Sequence, residues 1–208
     1  MDVLGDETKV VATGYGRIAV DFADYVITEI TCHARGGREL AGGDCTVIDV
    51  GGQDTKVILI ENGMVQDFLM NDKCSAGTGK FLEIMANRLG VTLQELFDLA
   101  EKGTVLPISS LCTVFAESEV INYIGEGRSR EDIAAGVVDS VVTKVAQLAM
   151  RKAMTDRVIL TGGLSHSAYF TRRLSEQIGK NVESTADGRY AGALGAAILA
   201  EEKSRRGR

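Results

Sequence analysis

The sequence predicts an α/β fold built on a sheet of mixed strand direction. Short apolar segments come first, and two of them flank Asn62-Gly63, the strongest hairpin turn signal in the chain. Apolar stripes of helical period fill the middle of the chain. The C-terminal part then alternates strand-like and helix-like segments, as βα units do.

The elements follow in order. Lys9 to Arg17 reads as a short strand running into a glycine turn. Asp24 to Arg35 is expected to be helical, with a break at Gly36-Gly37. Cys45 to Val50 is a buried strand ending at Gly51-Gly52, with Thr55 to Ile60 as its hairpin partner and Met64 to Met70 as a third strand. Phe81, Leu82, Met85 and Leu89 form an apolar stripe closed by Gly90. Thr92 with Glu95 makes a capping box for a short helix stopping at Gly103. Cys112 to Ile124 is read as a helix closed by Gly125. Ser129 opens a long helix whose Ile133, Val137, Val141, Val145 and Leu148 repeat at helical spacing. Arg157 to Thr161 is a strand delivering Gly162-Gly163 to a helix from about Ser167 to Ile178. A short strand near Val182 and a helix from about Ala191 to Glu202 end the reading.

Composition narrows the function classes. The chain has 208 residues, 45% of them hydrophobic and 25% charged, which suits one or two small packed units. A net charge of −6 argues against nucleic-acid binding and against an anionic membrane surface. The basic stretch Lys203 to Arg208 reads as a solvated end. No apolar run reaches the roughly 18–20 residues that span a bilayer. Met1 to Glu7 lacks the basic start and apolar core of a signal peptide, so a cytoplasmic protein is expected. In that compartment the four cysteines suit metal ligation, redox work or core packing better than disulfides. Glycine at 24 positions against one proline suggests tight turns and close backbone approaches.

Five motifs carry candidate chemistry. Asp49-Val50-Gly51-Gly52-Gln53-Asp54 lies in a hairpin turn, where glycines let backbone N–H groups approach phosphate oxygens. Asp49 at the strand end could hold Mg²⁺ or orient a water, with Gln53 as its catalytic companion. The bland alternative is a plain glycine-rich hairpin. Leu160-Thr161-Gly162-Gly163 could lay an adenosine or its phosphates against the backbone, although many βα turns carry paired glycines. Ala191 to Ala197 is rich in small residues, and close helix packing is its better reading. Cys74 to Lys80 imitates a P-loop but has Cys74 for the first glycine and Phe81 after the lysine, so a Walker A reading fails. Cys74 and Cys112 are each expected where a helix begins, the latter after Ser109-Ser110-Leu111, and there the helix dipole favours an anionic thiolate centre. Two thiolates cannot complete a four-cysteine site, whereas a two-fold dimer would supply four. An in-chain site adding Cys32 and Cys45 competes with that reading, as does plain core packing of all four.

Together the motifs resemble a known family. Ala12 to Arg17, Glu29 to Ala34, Val47 to Asp54, Asn71-Asp72-Lys73-Cys74, Ala76 to Gly79, Cys112 to Val120 and Leu160 to Gly163 occur in order. They look like the activators of 2-hydroxyacyl-CoA dehydratases and the related ATPase subunits of benzoyl-CoA reductases. The resemblance implies an actin/hexokinase-like (ribonuclease-H-type) ATPase fold with ATP or ADP and Mg²⁺ in a cleft. It implies a homodimer bridged by one [4Fe-4S] cluster. It also implies ATP-driven delivery of one electron, received from a low-potential donor such as ferredoxin or flavodoxin, to a dehydratase or a reductase component. Residue by residue it implies Cys74 and Cys112 as cluster ligands, Gly51, Gly52, Gln53 and Asp54 as the second phosphate loop, and Thr161, Gly162 and Gly163 as the adenosine motif.

The family pattern begins with a first phosphate loop of the type DxGS, and these residues lack it. Residues 1–40 would then be the remnant of an N-terminal subdomain whose first hairpin is missing, and 41–208 the second subdomain. One hairpin alone offers fewer phosphate donors, so ATP is expected to bind weakly to these residues by themselves. Three rival classes remain. One is an ATPase subunit fixed in a benzoyl-CoA-reductase-type complex, and another is a cluster-binding fragment without ATPase activity. The third is a sugar-kinase-like transferase, against which stands the absence of any evident base beside Asp49.

Overall fold

The computed structural model describes residues 9–109 and 112–206. The expectations placed on Met1–Thr8, on Ser110-Leu111 and on the last two residues of the basic tail lie outside the described residues.

A short parallel pair, β1 (Val11–Ala12) and β2 (Tyr25–Val26), opens the fold, with a 3₁₀ turn over Tyr15–Ala19 between the strands. Helix α1 (Glu29–Ala41) follows, capped by the Thr28 hydroxyl accepting from the Thr31 amide. The expected start at Asp24 and the break at Gly36-Gly37 are both corrected here, because the helix begins later and runs through both glycines. Neither has room for a side chain. A Cβ on Gly36 would lie 1.9 Å from the Ala191 carbonyl oxygen, and one on Gly37 would lie 2.4 Å from Val47 Cγ2. Close packing, rather than helix termination, explains the pair.

Three strands come next as an antiparallel meander: β3 (Thr46–Val50), β4 (Thr55–Glu61) and β5 (Met64–Asn71). Asn62 and Gly63, at φ 54° and 75°, form the left-handed turn expected of them. Helices α2 (Gly79–Leu89), α3 (Leu93–Ala100), α4 (Thr113–Gly125) and α5 (Arg130–Ala149) follow. The Thr92–Glu95 capping box is present in both directions. The left-handed residue after α4 is Gly127 rather than the expected Gly125, which stays helical. The chain ends through β6 (Val158–Gly162), α6 (Ala168–Ile178), β7 (Val182–Ser184) and α7 (Ala191–Arg206).

The main sheet has the order β5-β4-β3-β6-β7, antiparallel on one side of β3 and parallel on the other. Strand alternation divides its faces. Ile48, Val50, Val57 and Leu160 join the large core with α2, α3, α5 and α6. Val47, Ile58, Ile60 and Ile159 face the other way and meet Ala34 and Ala41 of α1. Helix α7 lies along α1 and touches β1. No helix among the described residues is long and apolar enough to cross a membrane.

Candidate functional site

Period-two alternation decides where Asp49 points. It shares a face with Val47, so its carboxylate emerges beneath α1, at the end of the central strand. Its cross-strand neighbours are Lys56 on β4 and Thr161 on β6. The Thr161 hydroxyl donates to Asp49 Oδ1 at 2.9 Å, and Lys56 Nζ lies 3.5 Å from Oδ2. From α1, His33 Nε2 comes within 3.2 Å of Oδ1.

Lys56 is 2% exposed yet cationic, and three carboxylates make that tolerable. Its ammonium lies 2.5 Å from Asp54 Oδ1 and 3.0 Å from Glu29 Oε1, besides Asp49. Burial works against the charge, but these acids outweigh it and hold Lys56 above its ordinary value. The Tyr15 hydroxyl donates to Asp54 Oδ2 at 2.9 Å, so the segment before α1 closes the cluster from above. Burial disfavours a charged His33, yet the hydrogen bond and charge of Asp49 hold its ring above the usual histidine value. Burial would likewise raise Asp49, but the His33 hydrogen bond and nearby charges keep it below the usual carboxylate value. Glu29, His33 and Asp49 are, among the described residues, the group whose ligand atoms converge closely enough to hold a cation. Lys56 supplies positive charge at that point already.

The turn carrying Gly51, Gly52, Gln53 and Asp54 closes through the Gly51 amide donating to the Asp54 carbonyl at 2.9 Å. Gln53 is exposed at its tip, and Asp54 is buried against Lys56. The same turn is bonded to the start of α2. Gly79 N–H donates to the Gly51 carbonyl and Lys80 N–H to the Gly52 carbonyl, each at 2.9 Å. The Thr55 hydroxyl donates to the Gly77 carbonyl at 2.6 Å. Thr161, Gly162 and Gly163 sit beside this hairpin. Thr161 is buried and its hydroxyl is turned to Asp49, while Gly162 at φ 84° brings its backbone against Val50, where a Cβ would lie 2.4 Å from the carbonyl oxygen. A 3₁₀ turn over Gly163–His166 separates this motif from α6, which begins after the Ser167 cap, where the helix was expected.

Cys112 is the residue before α4, as expected of a helix start. Cys74 is not at one: it is exposed in the loop preceding Thr78, because Gly77 at φ +89° and an extended Thr78 delay α2. The two cysteine segments are neighbours, joined by a 2.7 Å hydrogen bond between the Ser75 and Thr113 hydroxyls. Cys32 and Cys45 are fully buried elsewhere, and burial raises the Cys45 thiol to about 11. Among the described residues no three of the four cysteines converge closely enough to hold a single metal ion.

His33, Glu29, Lys56 and Tyr15 were not read from the sequence as site residues. Glu29 and His33 lie four apart and so share a helix face, a signal that was visible. What that face covers was not. The absence of a base beside Asp49 is also corrected, since His33 is there. Both its ring nitrogens face acceptors, however: Nδ1 the Glu29 carbonyl at 3.3 Å, and Nε2 Asp49.

Comparison with known proteins adds to this geometry. The profile of the BadF/BadG/BcrA/BcrD ATPase family matches residues 5–200. The (R)-2-hydroxyglutaryl-CoA dehydratase activating ATPase of Acidaminococcus fermentans is 44% identical over 201 residues, covering 96% of this chain and 77% of the relative. The structure of the activator of the 2-hydroxyisocaproyl-CoA dehydratase from Clostridium difficile, with bound ADPNP, superposes with a TM-score of 0.93. It is 40% identical, over 98% of this chain and 78% of that one. A benzoyl-CoA reductase subunit of Thauera aromatica is 32% identical over 201 residues, 93% of this chain and 71% of the relative.

Proposed function

This chain belongs to the BadF/BadG/BcrA/BcrD ATPase family, and from that premise we propose that it is the ATP-driven, one-electron activator of a 2-hydroxyacyl-CoA dehydratase. The fold is that of the actin/hexokinase-like ATPases, and close relatives are dehydratase activators. The reading adds three things to that membership: a [4Fe-4S] cluster, a homodimer that shares it, and Mg·ATP at the Asp49–Asp54 hairpin.

One observation carries the reading. The candidate phosphate hairpin is bonded to the start of α2, through Gly51 to Gly79 and Gly52 to Lys80, and to the Cys74 loop before it, through Thr55 to Gly77. A hairpin that shifts when it grips phosphate therefore moves the segment bearing one cysteine. The Ser75–Thr113 bond passes that movement to the start of α4 and the other. Coupling of this kind is what an ATP-driven change in reduction potential requires, because hydrogen bonding and exposure set that potential.

The donor sets fit the groups. Cys74 and Cys112 are accessible thiols on adjoining segments, and two chains would provide the four thiolates of a cluster. When bound, the cluster supplies a site for one electron at low potential. Asp49 and Asp54 offer the oxygen donors that Mg²⁺ prefers, and their present partners are cations and hydroxyls that Mg²⁺ could replace. Gly52 and Gly163, where a Cβ would meet nothing within 4 Å, leave room for phosphate and adenosine, while Gly51 and Gly162 let the two turns close against Asp54 and Val50. The sugar-kinase alternative gains nothing from His33, whose nitrogens are both committed.

Anaerobic purification with iron analysis tests the reading. Cys74→Ser and Cys112→Ser should each lose the iron, while Cys32→Ser and Cys45→Ser should keep it. Full iron content in either of the first pair would overturn the ligand assignment.

A further inference from the structure

Asp49 has three side-chain donors, and they differ in kind. Thr161 and Lys56 sit on strands paired with β3, so they move as the sheet moves. His33 comes from α1, outside that sheet. It is therefore the partner whose position relative to Asp49 can change.

What fixes His33 is the seam between α1 and α7. The seam is backbone against backbone. A Cβ on Gly36 would lie 1.9 Å from the Ala191 carbonyl oxygen, and one on Gly195 would lie 1.8 Å from that of Cys32. With no side chains between them, the helices cannot absorb a displacement by changing rotamers. At the first turn of α7 the same closeness holds the imidazole. A Cβ on Gly192 would lie 2.7 Å from His33 Cε1 and 3.0 Å from Nδ1. The ring is thus wedged between Gly192 and Asp49, with Nδ1 steadied by the Glu29 carbonyl.

We propose that His33 is a positioning residue that couples the α1–α7 seam to Asp49, so that sliding of α7 along α1 reorients the carboxylate facing the nucleotide phosphates. This rests on Asp49 being that carboxylate, a reading that calorimetry of Mg·ADP binding to Asp49→Asn tests on its own. Movement of the seam and movement of the phosphate site are then one event, because a rigid ring spans the gap between them. The coupling is reciprocal: whatever binds at Asp49 biases the seam.

Backbone amide NMR of the nucleotide-free chain tests the coupling. Asp49→Asn should shift the amide of Gly192, and Gly192→Ala should shift the amides of Thr161 and Gly162. Both cross effects should vanish in a His33→Phe background, which keeps a ring there but removes its donors, and should persist in His33→Gln, whose amide can still donate to Asp49. His33→Leu is the second background if the phenyl ring disrupts folding. An unmoved Gly192 amide in Asp49→Asn would overturn the proposal, as would cross effects that survive in His33→Phe or His33→Leu, where no donor to Asp49 remains.

Discussion

Asp49 and Lys56 are almost fully buried, and what makes their charges tolerable is that each meets the other and further partners. His33 belongs to the same network, and its protonation gives the stability a definite pH dependence. In the folded chain it stays protonated above its ordinary value of 6.5, because the Asp49 hydrogen bond and charge outweigh the burial of the ring. Its contribution is therefore complete below pH 6.5, and it is lost as pH rises through the higher folded value. Asp49 is held below its ordinary 3.8, so it stays ionised throughout that window. Wild-type chain should exceed His33→Gln in stability at pH 6, and the gap should narrow steadily towards pH 9. Urea unfolding at a series of pH values measures it; a gap that widens with pH would contradict the pairing.

Among the elements, the links between hairpin, loop and helix matter more than any of the three alone. Thr55 sits at the first position of β4, and its buried hydroxyl holds the Gly77 carbonyl at 2.6 Å, just below the Cys74 loop. Thr55→Val keeps the shape and the strand propensity but leaves that carbonyl without its partner. The loss should be about 1–3 kcal/mol of stability. The informative readout is local: iron should leave the reconstituted protein faster in the presence of a chelator, while α5 and β6 keep their exchange protection. Iron release at the wild-type rate would show that the Cys74 loop does not depend on this anchor.

The molecule as a whole has a surface that its own core does not use. Along α4, Ala116 and Val120 are buried, while Phe115 at 64% and Ile121 at 53% remain exposed, in the helix that begins after Cys112. On the homodimer reading this apolar face lies where the second chain would meet the first. Phe115→Asp should shift the chain from dimer to monomer in light scattering and lower its iron content with it, because one chain contributes only two thiolates. Iron in the intact protein should approach four atoms per dimer. Four per monomer, or a monomeric variant that keeps its iron, would contradict the shared site.

Features that a few neighbouring residues decide were legible along the chain. Asn62-Gly63 had to turn, Thr92 with Glu95 had to cap, Ser129 had to open a helix, and Cys45 to Val50 had to be a buried strand. The order of the motifs also identified the family and, through it, the fold. The use made of Gly36-Gly37 was settled only by packing, because a glycine pair breaks a helix or admits a second one according to what lies across from it. Packing also put Cys74 ahead of its helix: Gly77 is left-handed, and a Cβ on it would lie 2.9 Å from Lys144 Cβ. Above all it assembled the surroundings of Asp49. Glu29, His33, Lys56 and Thr161 are spread over more than half of the chain, and only the register of β4, β3 and β6 beneath α1 brings them together. Spacing along a chain reports contacts within an element; contacts between elements depend on which face each presents, and that depends on how the elements pack.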